Sequence, residues 1–281
     1  MKTIREVLQL SKQYVSSKNR EVAPYEVEEI IAHVLGVNRL DLYLNFDRPL
    51  EEEELTLMRS NIKRLIEGEP VQSIEGFTEF FGCQIVLNRE VLIPRPETEQ
   101  IVEHVATVLE EKDISGKTLW DMCTGSGCIG ISLKKRFPEL NVVLSDICPA
   151  ALTVAKKNAQ ENQVEVAIVQ GDLFEPFSGK KADFIIANPP YISREEFATL
   201  SPSVTQFEPQ RALLAENSGL DFYLRFAPLM KEHLAPGGKA WFECGYLQGE
   251  KVRDIFIEHG YTLEPFYDLA GILRAVEVFK T

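Results

Sequence analysis

From Thr118 onward, short apolar runs alternate with amphipathic segments, and that alternation leaves few folds open. "TLWDMC", "NVVLSDI", "VEVAIVQGD", "ADFIIAN" and "GGKAWFECG" read as strands. "GCIGISLKKRF", "PAALTVAKKNAQEN", "LDFYLRFAPLMKEHL" and "QGEKVRDIFIEHG" read as helices between or after them. Strands and helices taking turns in this way imply a parallel sheet with helices on both faces. "YTLEPFYD" and "LRAVEVFK" close the chain with little more than a turn between them. That spacing is too short for a parallel crossover, so the pair forms an antiparallel hairpin at one edge. The expected fold class is α/β: a seven-stranded Rossmann-like sheet with a terminal antiparallel hairpin.

The first seventy residues have a different rhythm. "IREVLQLSKQYV" carries Ile4, Val7, Leu8, Leu10 and Val15 near a 3.6-residue period. "PYEVEEIIAHVLG" starts on Pro24 and stops on Gly36, and "EEEELTLMRSNIKRLIEG" stops on Gly68. These segments predict a small helical bundle over residues 1–70. "IEGFTEFFGCQIVLNREVLIP" predicts a linking β-hairpin within 71–96. A helix over "RPETEQIVEHVATVLEE" then opens the sheet domain, residues 97–281.

Composition narrows the function. The formal net charge is −13, so the body of the protein repels phosphate backbones, and stable nucleic-acid binding is not expected. The acidic run Glu51–Glu54 reads as a solvated helix start. No apolar run approaches the 18 or so residues of a membrane span, and the N-terminus lacks a signal-peptide pattern. The five cysteines include no C-x-x-C pair, and the four histidines show no ligand spacing. We therefore expect no metal, no disulfide framework and no membrane association, but a cytoplasmic monomer.

In open α/β sheets ligands bind beyond the carboxyl ends of the strands, where strand order reverses. Four segments fall there. Cys123, Thr124, Gly125, Ser126 and Gly127 form a turn in which the glycines allow close backbone approach to a ligand. The same turn also suits plain strand-to-helix packing. It is neither the dinucleotide fingerprint nor a Walker loop. Asp146 ends the second strand, where an acid can accept both hydroxyls of a ribose or cap the next helix. Asp172 ends the third, placed to accept from an adenine amino group while Leu173 covers the ring. Together these make a nucleoside pocket.

The fourth segment is Asn188-Pro189-Pro190-Tyr191. Prolines remove backbone donors, leave carbonyl acceptors and stiffen the turn. The Asn188 side-chain oxygen and the Pro189 carbonyl can together accept both protons of an NH2 group, with Tyr191 as a flat wall. Such a site selects a planar nitrogen and aligns it for in-line displacement. An ordinary Asn-Pro turn is the alternative.

These residues resemble a class I S-adenosylmethionine-dependent methyltransferase with an NPPY motif. "EFFGCQIVLNREVLIPRPETE", "NPPYI", "FEPQRAL", "GLDFYLR", "LAPGGKAWFECGYLQ" and "DLAGILRAVEV" are similar, in order, to the release-factor glutamine N5-methyltransferase family. The resemblance spans about residues 70 to 281. It implies S-adenosyl-L-methionine as cofactor and class 1 peptide release factors as protein substrate, methylated at the glutamine of a Gly-Gly-Gln loop during translation termination. It implies that Cys123 to Gly127 line the methionine end of the cofactor, Asp146 binds ribose, and Asp172 with Leu173 flanks adenine. Asn188, also beside the cofactor, Pro189, Pro190 and Tyr191 would hold the glutamine. Arg95, Glu97 and Thr98 would cover the site, unless Arg95 and Glu97 merely pair to hold a helix start. Glu208 and Pro209 would brace the NPPY loop. The N-terminal bundle would either dock the release factor or only pack on the catalytic domain. One departure is Cys123, where the family has glycine, which implies a displaced backbone at the methionine carboxylate.

Two other functions stay open at this level. A nucleic-acid methyltransferase acting on adenine N6 or a guanine exocyclic amine would use the same motif, although no basic, aromatic-laced segment or base-flipping wedge is evident. A non-catalytic nucleotide-binding protein would keep the fold without transferring a methyl group.

Overall fold

A computed structural model of the protein describes residues 2 to 279. It contains two compact units: residues up to Phe77 together with Ser201–Phe207, and Thr78–Leu200 together with the chain from Glu208.

The first unit is helical, with α1 (Ile4–Lys18), α2 (Pro24–Leu35), α3 (Arg39–Leu44), α4 (Glu52–Ile66) and α5 (Val71–Glu75). Thr3 and Glu6 cap α1 reciprocally, and Gly36 ends α2 with φ 62°. Ile4, Val7, Leu8 and Val15 of α1 meet Ile30, Ile31, Met58 and Leu65 in one core. Leu10, expected on the buried stripe, is exposed, because it lies off the face shared by positions 4, 7, 8 and 15. The acidic run does start a helix: the Glu51 backbone N–H donates to the Glu54 carboxylate. Residues 71–75, read as part of the hairpin segment, are helical instead. Pro70 precedes that helix, and Gly76 ends it at φ 80°.

The hairpin itself is short, β1 (Phe77–Phe80) and β2 (Cys83–Val86), turning on Phe81 (φ 44°) and Gly82 (φ 72°). Its second strand is pinned by two carboxamides, one from the last turn of the helix Pro149–Glu161 and one from the residue that caps it. Asn158 exchanges hydrogen bonds with the N–H and C=O of Val86 (2.8 and 3.1 Å), and Asn162 does the same at Gln84 (3.2 and 2.8 Å). Spaced four residues apart, the two asparagines stand in for a neighbouring strand edge.

The second unit continues with α6 (Pro96–Glu110), β3 (Thr118–Met122), α7 (Cys128–Arg136), β4 (Asn141–Asp146), α8 (Pro149–Glu161), β5 (Ala167–Gln170) and β6 (Ala182–Ala187). Three short pieces follow, α9 (Arg194–Phe197), α10 (Pro202–Phe207, within the first unit) and α11 (Glu216–Gly219). The chain ends with α12 (Asp221–His233), β7 (Leu234–Glu243), α13 (Gly249–Glu258), β8 (Thr262–Tyr267) and β9 (Leu273–Phe279). Sheet order is β5-β4-β3-β6-β7-β9-β8, parallel from β5 to β7 and antiparallel through β9 and β8. The expected seven strands and edge hairpin are present. Separate cores cover the two faces, one including Val102, Leu119, Leu144 and Trp241, the other Trp120, Phe226, Phe242 and Phe256. The chain leaves β3 toward β4 and β5, then returns to the other side of β3 as β6. The order therefore reverses between β3 and β6.

Candidate active site

Parallel pairing puts the carboxyl ends of five strands on one edge. Register pairs Met122 with both Ser145 and Ala187, Asp146 with Gln170, and Ala187 with Phe242. The segments following those strands thus form a row: Asp172, Asp146, the 123–127 turn, the 188–191 turn, then Glu243. A pocket at this edge is lined by the 123–126 turn, Asp146, Asp172, Leu173, Asn188 and Pro190, with Arg95 and Thr98 from the other side.

Backbone conformation explains the 123–127 turn. Gly125 (φ 54°), Gly127 (φ 82°) and Cys123 (φ 57°) all lie in the left-handed region. Cys123 therefore takes the conformation that suits the glycine of the family pattern, and its Cβ carries a strain of about 1 kcal/mol. Burial, with Asp146, Asp121 and Asp172 nearby, pushes its thiol well above the usual range. The sulfur stays protonated and poorly nucleophilic. At Gly127 an added Cβ would stand 2.7 Å from Ile131, so this glycine serves helix packing rather than the pocket wall.

Asp121 anchors the turn from below. Its Oδ2 accepts from the Thr124 hydroxyl (2.6 Å) and from the Gly130 N–H (2.9 Å). Gly130 makes that approach possible, since a Cβ there would meet Leu144 at 2.4 Å and the Asp121 carboxylate at 3.0 Å. Asp121 Oδ1 is a buried side-chain oxygen without a partner among the described residues. Burial first, and the Asp146 charge as a lesser cause, push Asp121 up to about 7.

Asp146 accepts from Gly125 N–H through Oδ2 and from Cys148 N–H through Oδ1, both at 2.9 Å. Both oxygens are thus engaged by backbone N–H groups, one of the 123–127 turn and one of Cys148, the residue before α8. Burial raises its pKa despite these two donors. Asp172 is ion-paired to Arg225 at 2.5 Å, which leaves its other oxygen free of that pair. Leu173 beside it has φ 46°, a second strained residue on the pocket wall.

Asn188 donates from Nδ2 to the Thr98 hydroxyl (3.2 Å), and Thr98 donates to Glu243 Oε2 (2.7 Å). The Tyr191 hydroxyl points to Glu243 Oε1 at 3.5 Å. Pro189 is buried, and Tyr191 packs against the core behind the turn, so neither forms part of the pocket wall that Asn188 and Pro190 share. The turn is held from below by Gln248, whose Nε2 donates to the Tyr191 carbonyl at 2.7 Å. Gly219 allows this: a Cβ there would stand 2.1 Å from the same carbonyl.

Glu208 takes a different part from the one expected. Its carboxylate accepts the Ile93 N–H (3.1 Å) and the Arg95 guanidinium (2.5 Å), so it fixes the "IPRP" segment and leaves the NPPY loop to Gln248. Arg95 consequently does not pair with Glu97, which lies 3.6 Å from Arg274 and off the pocket. Glu243, buried behind Thr98, and Arg211, which lines the pocket, are absent from the sequence reading. The available signal for Glu243 was an acid interrupting the apolar run "AWFECG", which a buried strand tolerates only with partners.

Comparison with known proteins adds a family. The PrmC N-terminal domain model matches residues 6–76, and the methyltransferase small domain model matches 98–206. A release factor glutamine methyltransferase from Geobacter sulfurreducens is 39% identical, covering 92% of this chain and 90% of that protein. One from Bacillus subtilis is 37% identical over 98% and 97%. Among solved structures, a methyltransferase from Pyrococcus furiosus aligns with TM-score 0.54 at 16% identity, over 79% of this chain and 98% of that one. A ribosomal protein L11 methylase from Lactobacillus delbrueckii aligns with TM-score 0.51 at 22% identity, over 70% and 85%. At these identities the structural likeness speaks to fold.

Proposed function

The chain belongs to the release factor glutamine methyltransferase family, and from that premise we propose that it methylates the side-chain amide nitrogen, N5, of the glutamine in the Gly-Gly-Gln motif of a class 1 peptide release factor, with S-adenosyl-L-methionine as donor. The observation that carries the reading is the adjacency of residues 123–126 and Asn188 on one pocket at the point of strand reversal. A translation factor as acceptor puts the reaction in the cytoplasm.

The residues present fit the donor. Asp146 and Asp172 offer carboxylate oxygens at neighbouring strand ends, suited to a ribose diol and an adenine amino group. Ile147, Leu173 and Phe222 add apolar wall. The acids gathered at this edge favour a cation, which the sulfonium is. Cys123 to Ser126 would hold the methionine end, and Asn188 would border the sulfur. When bound, the donor supplies a methyl group already activated as a leaving-group pair with sulfur.

Everything else falls to the chain. An amide nitrogen is a poor nucleophile because its lone pair is delocalised. Asn188 Oδ1 and the adjoining Pro189 carbonyl would accept hydrogen bonds from its two N–H groups and favour the pyramidal nitrogen that forms as the methyl arrives; the methylated nitrogen then sheds one proton to water. Alignment in a rigid turn lowers the barrier without acid–base assistance. Pro190, with Tyr191 packed behind the turn, limits the space for the carboxamide plane, and Arg95 borders the entrance for the protein substrate.

Amino groups of nucleic-acid bases have similar chemistry, but the relatives and a net charge of −13 both disfavour them. The test is transfer of labelled methyl to a recombinant release factor, with DNA and RNA as parallel acceptors. Label is expected in the protein alone; label in either nucleic acid and none in the protein would overturn the proposal. Asp146→Ala is expected to weaken binding of the donor chiefly, read by calorimetry.

A further inference from the structure

We propose that Thr98 and Glu243 are positioning residues, a two-step hydrogen-bond relay that holds the Asn188 carboxamide with its oxygen toward the pocket. The inference rests on the functional reading above, in which that oxygen receives the substrate amide.

A carboxamide has two faces of nearly equal shape, and nothing in its own geometry decides which one meets the substrate. The decision is made by its neighbour. Thr98 has a single hydroxyl proton. An ionised Glu243 only accepts, and it stands 2.7 Å from Thr98 Oγ1, so that proton goes to Glu243. Thr98 Oγ1 is left as an acceptor toward Asn188, and only Nδ2 can satisfy it, at 3.2 Å. Asn188 Oδ1 then faces the opposite way, as an acceptor on the pocket. Thr98 and Glu243 are 2% and 4% exposed, so water does not compete for either contact. The relay is built across the fold: Thr98 comes from the first turn of α6 and Glu243 from the last residue of β7.

The polarity depends on the charge of Glu243. A protonated Glu243 donates to Thr98, Thr98 donates to Asn188 Oδ1, and the substrate meets an NH2 group where it needs an oxygen. Burial raises Glu243 to about 7, the Glu97 charge adds to this, and Arg274 of β9 opposes it. The other titratable groups around it are the Tyr191, Cys244 and Cys128 side chains, whose pKa values burial raises, and Tyr223 of α12, which donates to the Glu243 backbone carbonyl. Those four stay neutral through the pH range of interest, so Glu243 alone sets the sense of the relay.

The experiment measures methyl transfer to a recombinant release factor at saturating donor from pH 5.5 to 8.5. Thr98→Val should lower kcat roughly 10–100-fold, the scale of a misoriented contact, with donor affinity by calorimetry near that of the parent; Thr98→Ser should restore most of the rate. Glu243→Gln removes the ionisable group whichever end of its carboxamide meets Thr98, so its rate should lack the fall below about pH 7 expected of the parent. Glu243→Leu should resemble Thr98→Val. Thermal melting of each variant shows that it folds, and Thr98→Ser with Glu243→Gln carries the test if the apolar variants do not. Parent-like kcat and pH profiles in all folded variants would overturn the relay. A parent protein inactive on release factor would instead overturn the functional reading beneath it.

Discussion

Two buried glutamates on neighbouring strands behave in opposite ways. Glu243 of β7 and Glu277 of β9 are 4% and 1% exposed, and helix α6 reaches both, with Thr98 to the first and His104 to the second. Glu277 accepts from Trp241 Nε1 (3.0 Å), from Lys239 and from His104 (3.2 Å), and although burial opposes ionisation, these donors hold it down at about 2. Glu243 has two hydroxyls, one of them distant, and burial wins, pushing it up to about 7. Two acids closed off from solvent thus become either a fixed charge or a titrating one: Glu277 has the more numerous and charged donors and the weaker desolvation, Glu243 the fewer donors and the stronger. The well-supplied acid fastens α6 to the sheet interior. The under-supplied one ends its strand and is joined through Thr98 to Asn188; Asp121, with its orphaned oxygen, is a second such acid, one residue from the end of β3.

Removing the well-supplied acid should cost most. Glu277→Ala strands a half-buried lysine, a buried indole N–H and an imidazole, and is expected to lose about 3–5 kcal/mol of stability in denaturant unfolding. The kcat of the folded fraction should stay at the parent level; a loss of rate with little loss of stability would erase the contrast. Glu243→Gln should go the other way, with a size that depends on pH. A folded-state pKa above the unfolded one gives stability that is present below about pH 4.5 and lost as pH rises through about 7. Glutamine avoids that loss, so the variant should gain roughly 1–3 kcal/mol at pH 8.5 and little at pH 4.5. For Glu277, whose folded pKa is depressed, stability is present above about pH 4.5 and lost as pH falls toward about 2. Parent and Glu277→Ala should accordingly converge in thermal midpoint between those limits. The smallest effect belongs to His104→Ala, about 1 kcal/mol without a change in rate, against Thr98→Val from the same helix, which should act on the rate.

Strand-helix alternation was plain in the sequence because "VVLSD" and "ADFIIAN" are strands covered on both faces, and coverage leaves an unbroken apolar signature. The pocket was legible for the same reason: in a parallel sheet every strand end faces one edge, so Asp146, Asp172 and Asn188 had to meet. What stayed hidden depends on pairs remote in sequence. Glu243 gains its meaning from Thr98, and Glu208 from Ile93 and Arg95, separations that no local pattern encodes. Asn158 and Asn162 read as the polar end of a helix and turned out to pair with the backbone of β2. Cys123 was legible as a departure from a glycine pattern, but its positive φ was not, because identity suggests a conformation only when the residue is permissive.

Tandem mass spectrometry of a release factor incubated with S-adenosylmethionine and either the parent chain or Asn188→Ala tests the central claim most directly. With the parent, the mass of one added methyl in place of hydrogen is expected on the side chain of the Gly-Gly-Gln glutamine; with Asn188→Ala that residue should stay unmodified while donor binding persists. Methylation at another residue, or undiminished methylation by Asn188→Ala, would contradict it.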